Sequence, residues 1–117
     1  MIDDSILERV PLLRALNQRA RREVAARSVV VRKERGECFW RAGDRPRGLL
    51  VLLEGSVRLV RSGRDGRTQL IHREGPGATL GEVPLLDDGG YPATAEAESA
   101  ATALLVTTDA LEAARAA

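Results

Sequence analysis

From residue 28 to residue 107 the sequence is a series of short β-type runs separated by turn residues, and this pattern limits the possible folds more than any other feature. The runs cover residues 29–31, 38–40, 49–53, 56–61, 68–73 and 101–107. Gly36, Gly43-Asp44, Glu54-Gly55 and a loop over residues 62–67 lie between them. This spacing is typical of an antiparallel sandwich or roll and not of βαβ units. Strict alternation along 38–40 predicts that one of Phe39 and Trp40 lies in the core and the other is partly exposed.

Helical segments flank the strands. Apolar residues recur at helical spacing before and after a break at Pro11, namely Ile6, Leu7, Val10 and Leu13. Asn17 can cap a second helix over residues 18–27, which turns Ala20, Val24 and Ala25 inward. Thr108 can cap a helix that begins near the end of the sequence.

The length and composition exclude several classes of protein. A chain of 117 residues suits one domain, and its single cysteine, Cys38, excludes an internal disulfide and a cysteine-ligated iron–sulfur cluster. No apolar run reaches the roughly 20 residues of a membrane span, and residues 1–4 do not resemble a signal peptide, so a cytoplasmic protein is expected.

With one histidine, His72, and no nucleophile or metal motif, we expect neither catalytic nor metal-binding residues. His72 as a haem ligand is a weaker alternative than an ordinary strand residue.

The charges are divided along the chain. Residues 1–73 carry 17 of the 18 basic groups and 9 of the 17 acidic ones, a net +8, whereas residues 74–117 carry −7. The basic half has no obvious recognition helix, which favours a solvated face over a nucleic-acid footprint. We expect the two halves to attract each other, with stability falling as salt screens them.

The residue types in segment 81–97 predict a ligand-binding site. Gly81 can take a positive φ and lets a backbone approach a ligand, and Glu82 adds a carboxylate beside it. Pro84 suits the first turn of a short helix, which ends in a loop containing Gly89 and Gly90. The free N–H groups at such a helix start are a common way for a backbone to hold an anion.

The pattern G-E-x-x-L-L followed by a loop and A-T-A-x-A resembles the phosphate-binding cassette of cyclic nucleotide-binding domains, and YPATAEA resembles the sensor domain of Crp/Fnr transcription regulators most. Short motifs elsewhere stand in the same order as in that family: Pro11-Leu12-Leu13, Gly36-Glu37, Gly43-Asp44, Glu54-Gly55 and Gly75-Pro76-Gly77. The resemblance implies a mainly β fold with flanking helices, an antiparallel double-stranded β-helix or jelly-roll-like β-roll with a short cassette helix.

The resemblance also implies an organisation of the chain. We expect one domain over 1–117, with N-terminal helices in 1–27, the β-roll in 28–107, the cassette in 81–95 and the start of a C-terminal helix in 108–117. In the Crp/Fnr family a long dimerisation helix and a helix-turn-helix domain follow. We expect no DNA-binding domain in this chain, which is then either a truncated protein or a stand-alone module. In a full-length protein the C-terminal helix would form a homodimer, and DNA would be contacted only through the absent domain.

The roles of individual residues follow from the resemblance. The residue matching Glu82 takes the ribose hydroxyl, and backbone N–H groups around Gly81 and Val83 hold the phosphate. An arginine usually precedes A-T-A and pairs with the phosphate, but here Tyr91 occupies that position. The loss of this charge-assisted contact is expected to weaken cAMP or cGMP binding roughly tenfold to a hundredfold. Tyr91 with Ala93 and Thr94 can still border the pocket, Tyr91 with its ring or hydroxyl and Thr94 with its hydroxyl.

The sign of the charge adds to this weakening. Residues 81–98 carry five acidic groups and no basic one, which repels a phosphodiester unless arginines reach in from the basic half. Arg58, Arg61 and Arg73 can do so, depending on the faces of their strands.

Three functions remain open. The favoured hypothesis is a sensor domain of a Crp/Fnr-like transcription regulator, which binds a small-molecule effector and transmits the signal through the C-terminal helix. The alternatives are a genuine cAMP- or cGMP-binding module of another signalling protein, and a structural or interaction roll without a ligand. None of the three is an enzyme.

Overall fold

The computed structural model describes residues 11–81 and 90–116, and the elements below belong to that part of the chain. Three helices are present: α1 (Pro11–Arg14), α2 (Gln18–Arg27) and α3 (Thr108–Ala116). The strands are β1 (Val29–Lys33), β2 (Cys38–Trp40), β3 (Gly48–Glu54), β4 (Val57–Ser62), β5 (Thr68–Glu74), β6 (Thr79–Leu80), β7 (Thr94–Ala97) and β8 (Ala101–Thr107). The predicted helix residues Ile6, Leu7 and Val10, and the predicted cassette helix, lie outside the described residues.

The strands form two antiparallel sheets, as the sequence predicts. The first sheet has the order β1-β8-β3-β6 and the second β2-β7-β4-β5, so β1 and β2 are edge strands. Five predicted runs agree with β2, β3, β4, β5 and β8 to within one residue at each end. The resulting β-roll with flanking helices confirms the predicted fold class.

Two short strands, β6 just before the cassette and β7 at its end, were not predicted. β7 has the sequence TAEA, in which the buried positions are the alanines Ala95 and Ala97. Alanine has little β-propensity of its own. The strand forms because the inter-sheet core needs small side chains at that point, which is a tertiary effect.

The first sheet has a different core on each of its faces. One apolar cluster packs α2 and α3 against the sheet and includes Leu49, Val51, Leu104 and Val106. A second cluster lies between the sheets and includes Leu50, Leu52, Ala95 and Ala103. Strand β8 therefore presents alternate residues to the helices and to the interior of the roll.

Phe39 and Trp40 do not alternate between core and solvent as predicted. Both are half-buried and both pack against the inter-sheet cluster. The pairing of β2 with β7 shifts in register between Cys38 and Trp40, which marks a β-bulge or irregularity. A bulge interrupts the two-residue alternation and re-aims a side chain, which explains why both rings turn inward.

The helix caps are partly as predicted. Asn17 caps α2, with its Oδ1 accepting from the Ala20 N–H at 2.7 Å, and Ala20, Val24 and Ala25 are buried. At α3 the cap is Thr107 and not Thr108, because the Thr107 hydroxyl accepts from the Ala110 N–H at 3.1 Å. The cap thus lies one residue earlier than the sequence indicates, and the helix begins directly after it at Thr108.

Among the described residues, three arginine–carboxylate pairs connect the basic and acidic halves of the chain. Their distances are 2.8 Å for Arg27–Asp109, 2.7 Å for Arg58–Glu96 and 2.8 Å for Arg73–Glu98. Each joins residues far apart in sequence. The charge division along the chain therefore becomes pairing across the fold.

Candidate ligand-binding site

Tyr91, in the position of the family's arginine, is held by a backbone clasp. The Gly43 N–H donates to the Tyr91 carbonyl at 2.8 Å, and the Tyr91 N–H donates to the Asp44 carbonyl at 3.1 Å. A Cβ at Gly90 would lie 2.8 Å from the Gly43 carbonyl oxygen, so only glycine allows this close approach. The turn after β2 and the chain that enters β7 are therefore joined.

The Tyr91 ring stacks on Trp40. The ring centroids are 4.1 Å apart and the planes differ by 11°. The Trp40 indole N–H donates to the Ala93 carbonyl at 2.8 Å, so Trp40 is fixed both at its edge and on one face. Only 5% of Tyr91 is exposed, which makes the stack part of the interior.

This aromatic pair lies directly against Gly81, the first residue of the cassette. Gly81 has φ 90°, as its predicted role requires. A Cβ on Gly81 would stand 3.3 Å from Tyr91 Cε1 and 3.8 Å from Trp40 Cη2. Tyr91 therefore brings a ring to the place where the resemblance puts an arginine and a phosphate.

The other predicted site residues are only partly brought together. Glu82 and Val83 lie outside the described residues. Ala93 is buried and contributes its carbonyl to Trp40. The Thr94 hydroxyl accepts from the Ala42 N–H at 2.9 Å, and Thr94 borders a shallow cavity on the outer face of the second sheet. Thr94 thus supports the turn after β2.

A cavity of about 580 Å³ opens next to the stacked pair, between the edge strands β1 and β2. This volume lies within the range of ordinary small-molecule sites. Its apolar lining consists of aliphatic and aromatic side chains: Val31, Phe39, Trp40, Leu50, Tyr91 and Leu105. The cavity is thus bounded by both sheets.

The charged lining of the cavity is mostly positive. Lys33 comes from β1, and Arg45 and Arg47 come from the loop between β2 and β3; Asp44 is the one acidic residue of the described lining. Within the described ranges, no ion pair engages any of the three cations. The described lining of this cavity therefore favours anions, whereas Glu82, Asp87 and Asp88, three of the five acids of segment 81–98, lie outside the described residues.

The arginines that the sequence offered as phosphate partners have other positions. Arg58 pairs with Glu96, and Arg73 pairs with Glu98. The hydrogen bond from Arg73 is the main reason why the pKa of Glu98 is lowered. Arg61 is exposed near the end of β4. Two of the five acids in segment 81–98 are therefore neutralised by the strand arginines.

The Tyr91 hydroxyl lies near Arg47 and Asp44. Burial raises the pKa of Tyr91, while a hydrogen bond from the Arg47 backbone N–H and the positive charge of Arg47 oppose that rise. Asp44 raises the pKa further through its negative charge. The hydroxyl is neutral at physiological pH and is held at the wall of the cavity.

The residues considered for other chemistry lie apart from this site. His72 is half exposed on β5 and contacts Glu74, and Cys38 is half-buried. Among residues 11–81 and 90–116 no cluster of three or more histidine, cysteine, aspartate or glutamate side chains could hold a metal ion. No helix in those ranges is long and apolar enough to cross a membrane.

Sequence reasoning missed Trp40, Lys33, Arg45 and Arg47 as site residues. Their approach to Tyr91 depends on the register shift in β2 and on the clasp between Gly43 and Tyr91. The one local signal was the Gly43-Asp44 turn followed by Arg45-Pro46-Arg47, a basic loop with a fixed turn before it.

The chain belongs to the cyclic nucleotide-binding domain family, which it matches over residues 30–117. It also has 32% identity to the N-terminal domain of a transcriptional regulator from Streptomyces coelicolor, covering 93% of this chain and 76% of that one with a TM-score of 0.80. These findings confirm the resemblance identified from the motifs.

Two more distant structures share the fold. The sensor domain of the transcriptional regulator DNR from Pseudomonas aeruginosa has a TM-score of 0.87 at 21% identity, with 96% of this chain and 76% of that one covered. The regulatory domain of Toxoplasma gondii PKA, solved with cAMP, has a TM-score of 0.83 at 24% identity, with 94% and 42% covered.

The share of the matched protein that this chain covers differs from one structure to another. The chain spans about half the length, 51% and 49%, of two other solved structures that it matches, both from Silicibacter (Ruegeria) pomeroyi. No curated protein matches the chain.

Proposed function

We propose that this domain is the ligand-sensing part of a Crp/Fnr-like transcription regulator, located in the cytoplasm, and that it acts by binding and not by catalysis. The observation that carries the proposal is the position of β8. Its residue Leu105 borders the cavity, its neighbours Leu104 and Val106 pack under the helices, and α3 begins directly after its last residue.

This arrangement provides a route from the cavity to α3. A ligand that displaces Leu105 also displaces Leu104 and Val106, which are 0% exposed and closely packed. Close-packed side chains cannot absorb such a shift individually, so the position of α3 changes with the strand. The Arg27–Asp109 ion pair, at 2.8 Å, then favours one docking of α3 on α2.

Signalling in this scheme is a population shift between two positions of α3. In the full-length protein the helix would continue into a homodimer contact, and DNA would be bound by a domain beyond this chain. The effector needs only to prefer one position of α3 over the other.

A cyclic nucleotide is the second candidate for the effector, in this regulator or in another signalling protein. It is supported by the family and by the fold shared with a cAMP-bound regulatory domain. The stack of Tyr91 on Trp40 beside Gly81 opposes it, since the rings must move before a phosphate can approach that backbone.

Calorimetric titration of cAMP and cGMP into the purified chain tests these candidates. Glu82→Ala removes the carboxylate that the resemblance assigns to the ribose, and Glu112→Ala on α3 is the matched control. Micromolar binding that is lost only in Glu82→Ala would support a cyclic nucleotide as the effector. Heat that is absent with both nucleotides would leave the sensor proposal with a different ligand.

Transmission is tested by hydrogen exchange of α3 amides with and without ligand. We expect bound effector to change the protection of Ala110 and Ala114, which are buried against α2. Unchanged exchange along α3 at saturating ligand would contradict the sensor function itself.

A further inference from the structure

We propose that the cavity between β1 and β2 binds a small aromatic carboxylate, with the ring against the aromatic wall and the carboxylate toward the basic loop. This inference rests on the proposed sensor function and deepens it by naming a chemical class of effector. It concerns a site that differs from the cassette, because most of its lining comes from β1, β2 and the loop after β2.

The apolar wall favours a flat ligand. Phe39, Trp40 and Tyr91 are the three aromatic residues of the chain, and all of them line this one cavity. Rings offer large, rigid contact areas, and an aromatic ligand gains by offset stacking or edge contact with them. Trp40 and Tyr91 are already stacked on each other at 4.1 Å, so the wall is formed before a ligand arrives.

The basic residues favour an anionic group of one or two charges. In the part of the lining that the structure describes, Lys33, Arg45 and Arg47 stand against one acid, Asp44, which gives an excess of positive charge. Arginine can bind a carboxylate with two parallel hydrogen bonds, which adds geometric specificity. Among residues 11–81 and 90–116 none of these cations is engaged in an ion pair, so within that part of the chain a carboxylate has no acidic partner to displace.

The position of the cavity also connects this ligand to the signal. Leu105 of β8 lies in its wall, and Arg47 is joined to the start of α3, since the Arg47 carbonyl accepts from the Thr108 N–H at 3.1 Å. A carboxylate that draws in the Arg47 side chain therefore acts on the loop that holds the first residue of α3.

The test is calorimetric titration of trans-cinnamate into the full chain, with two analogues as controls. Cinnamamide keeps the ring and removes the charge, and cyclohexanecarboxylate keeps the charge and removes the flat ring. We expect cinnamate to bind about tenfold or more tightly than either analogue. Trp40 is the single tryptophan, so its fluorescence reports whether the ligand enters this cavity.

The variants separate the basic loop from general charge effects. Arg45→Gln with Arg47→Gln is expected to weaken cinnamate binding about tenfold or more, with the melting temperature as the folding check. Arg64→Gln, in the exposed loop between β4 and β5, lowers the net charge at a position that lines none of the cavities described here and should leave binding unchanged.

Two results would overturn the proposal. One is equal affinity for cinnamate and cinnamamide, and the other is cinnamate binding that is absent or insensitive to the loop variant in a folded protein. The sensor function fails separately. If cinnamate does not bind but a cyclic nucleotide does and changes α3, the sensor function holds and this ligand class is wrong. If cinnamate binds without changing α3, this ligand class is right and the sensor function is wrong.

Discussion

The two faces of strand β8 differ in how completely they are covered. On the helix side, Leu104 and Val106 are 0% exposed beneath α2 and α3. On the inter-sheet side, Ala101 and Ala103 are also buried, but Leu105 is half-buried and borders a cavity of about 580 Å³. One strand thus joins a closed core to an open site.

The difference comes from the size of the side chains that meet each face. The helix side of the cluster combines the larger Leu13 and Val24 with four alanines that allow close approach, namely Ala20, Ala25, Ala110 and Ala114. On the other face, three aromatic rings and three long cations meet at the β1–β2 edge, and such large groups leave space between them. The closed face supports the fold, and the open face offers the space in which a ligand can bind.

The largest expected effect tests the closed face. Leu104→Ala should lower the free energy of unfolding by about 2–5 kcal/mol, because it leaves a cavity in a fully buried cluster. Leu105→Ala, half-buried at the cavity wall, should cost only about 1 kcal/mol. Denaturant unfolding of both variants measures the contrast, and equal losses would show that the two faces are equally closed.

The next effect tests the open face. Tyr91→Arg restores the residue type that the family places before A-T-A and removes the ring beside Gly81. We expect the affinity for cAMP to rise roughly tenfold to a hundredfold, by calorimetry, because a guanidinium–phosphate pair becomes available. Tyr91→Phe is the matched control, which keeps the ring and should leave affinity low. No gain in the arginine variant would mean that Tyr91 is not what limits nucleotide binding.

A third prediction concerns pH at the same residue. The folded pKa of Tyr91 is raised chiefly by burial above its usual value near 10, so the neutral form is favoured by folding. Stability from this group is therefore complete below about pH 10 and is lost as pH rises through the folded pKa. Tyr91 is the only tyrosine, so tyrosinate absorbance follows it directly. The loss should disappear in Tyr91→Phe, and a titration at or below the usual value would contradict a closed environment.

The smallest expected effect concerns the pairs between the two halves of the chain. Exposed ion pairs contribute little because solvent and salt screen them, so raising salt should lower the free energy of unfolding only slightly across the three. The variant with both Arg73→Gln and Glu98→Gln should respond less to salt than the unmodified chain. Melting that does not change between low and high salt would show that the charge division does not stabilise the fold.

Much of the fold could be predicted because its signals are local. The glycine turns and apolar runs indicate β3, β4, β5 and β8. Asn17, followed by apolar residues at helical spacing, indicates α2. The position of Gly81 with a positive φ was also predicted from residue type and motif. β7 and the cap at Thr107 were not, since one depends on the space between sheets and the other on where β8 ends.

The candidate site was predicted less well. The motif placed Gly81, Tyr91 and Ala93 together, and the structure adds Trp40 to them through a ring stack and a hydrogen bond. The arginines near the site were predicted on β4 and β5, but Arg45 and Arg47 of the loop after β2 border the cavity. Which arginine reaches a site depends on strand faces and loop paths, and these are set by long-range pairing.

The sequence by itself determined the class of fold and the family, because turn residues, apolar spacing and motif order act over short stretches of chain. The tertiary structure decided the character of the site. A register shift in β2 turned Trp40 inward, and contact between Gly43 and Gly90 brought Tyr91 against it. The positive lining arises in the same way, since Lys33 and Arg47 are separate in sequence and meet only where the edges of two sheets come together.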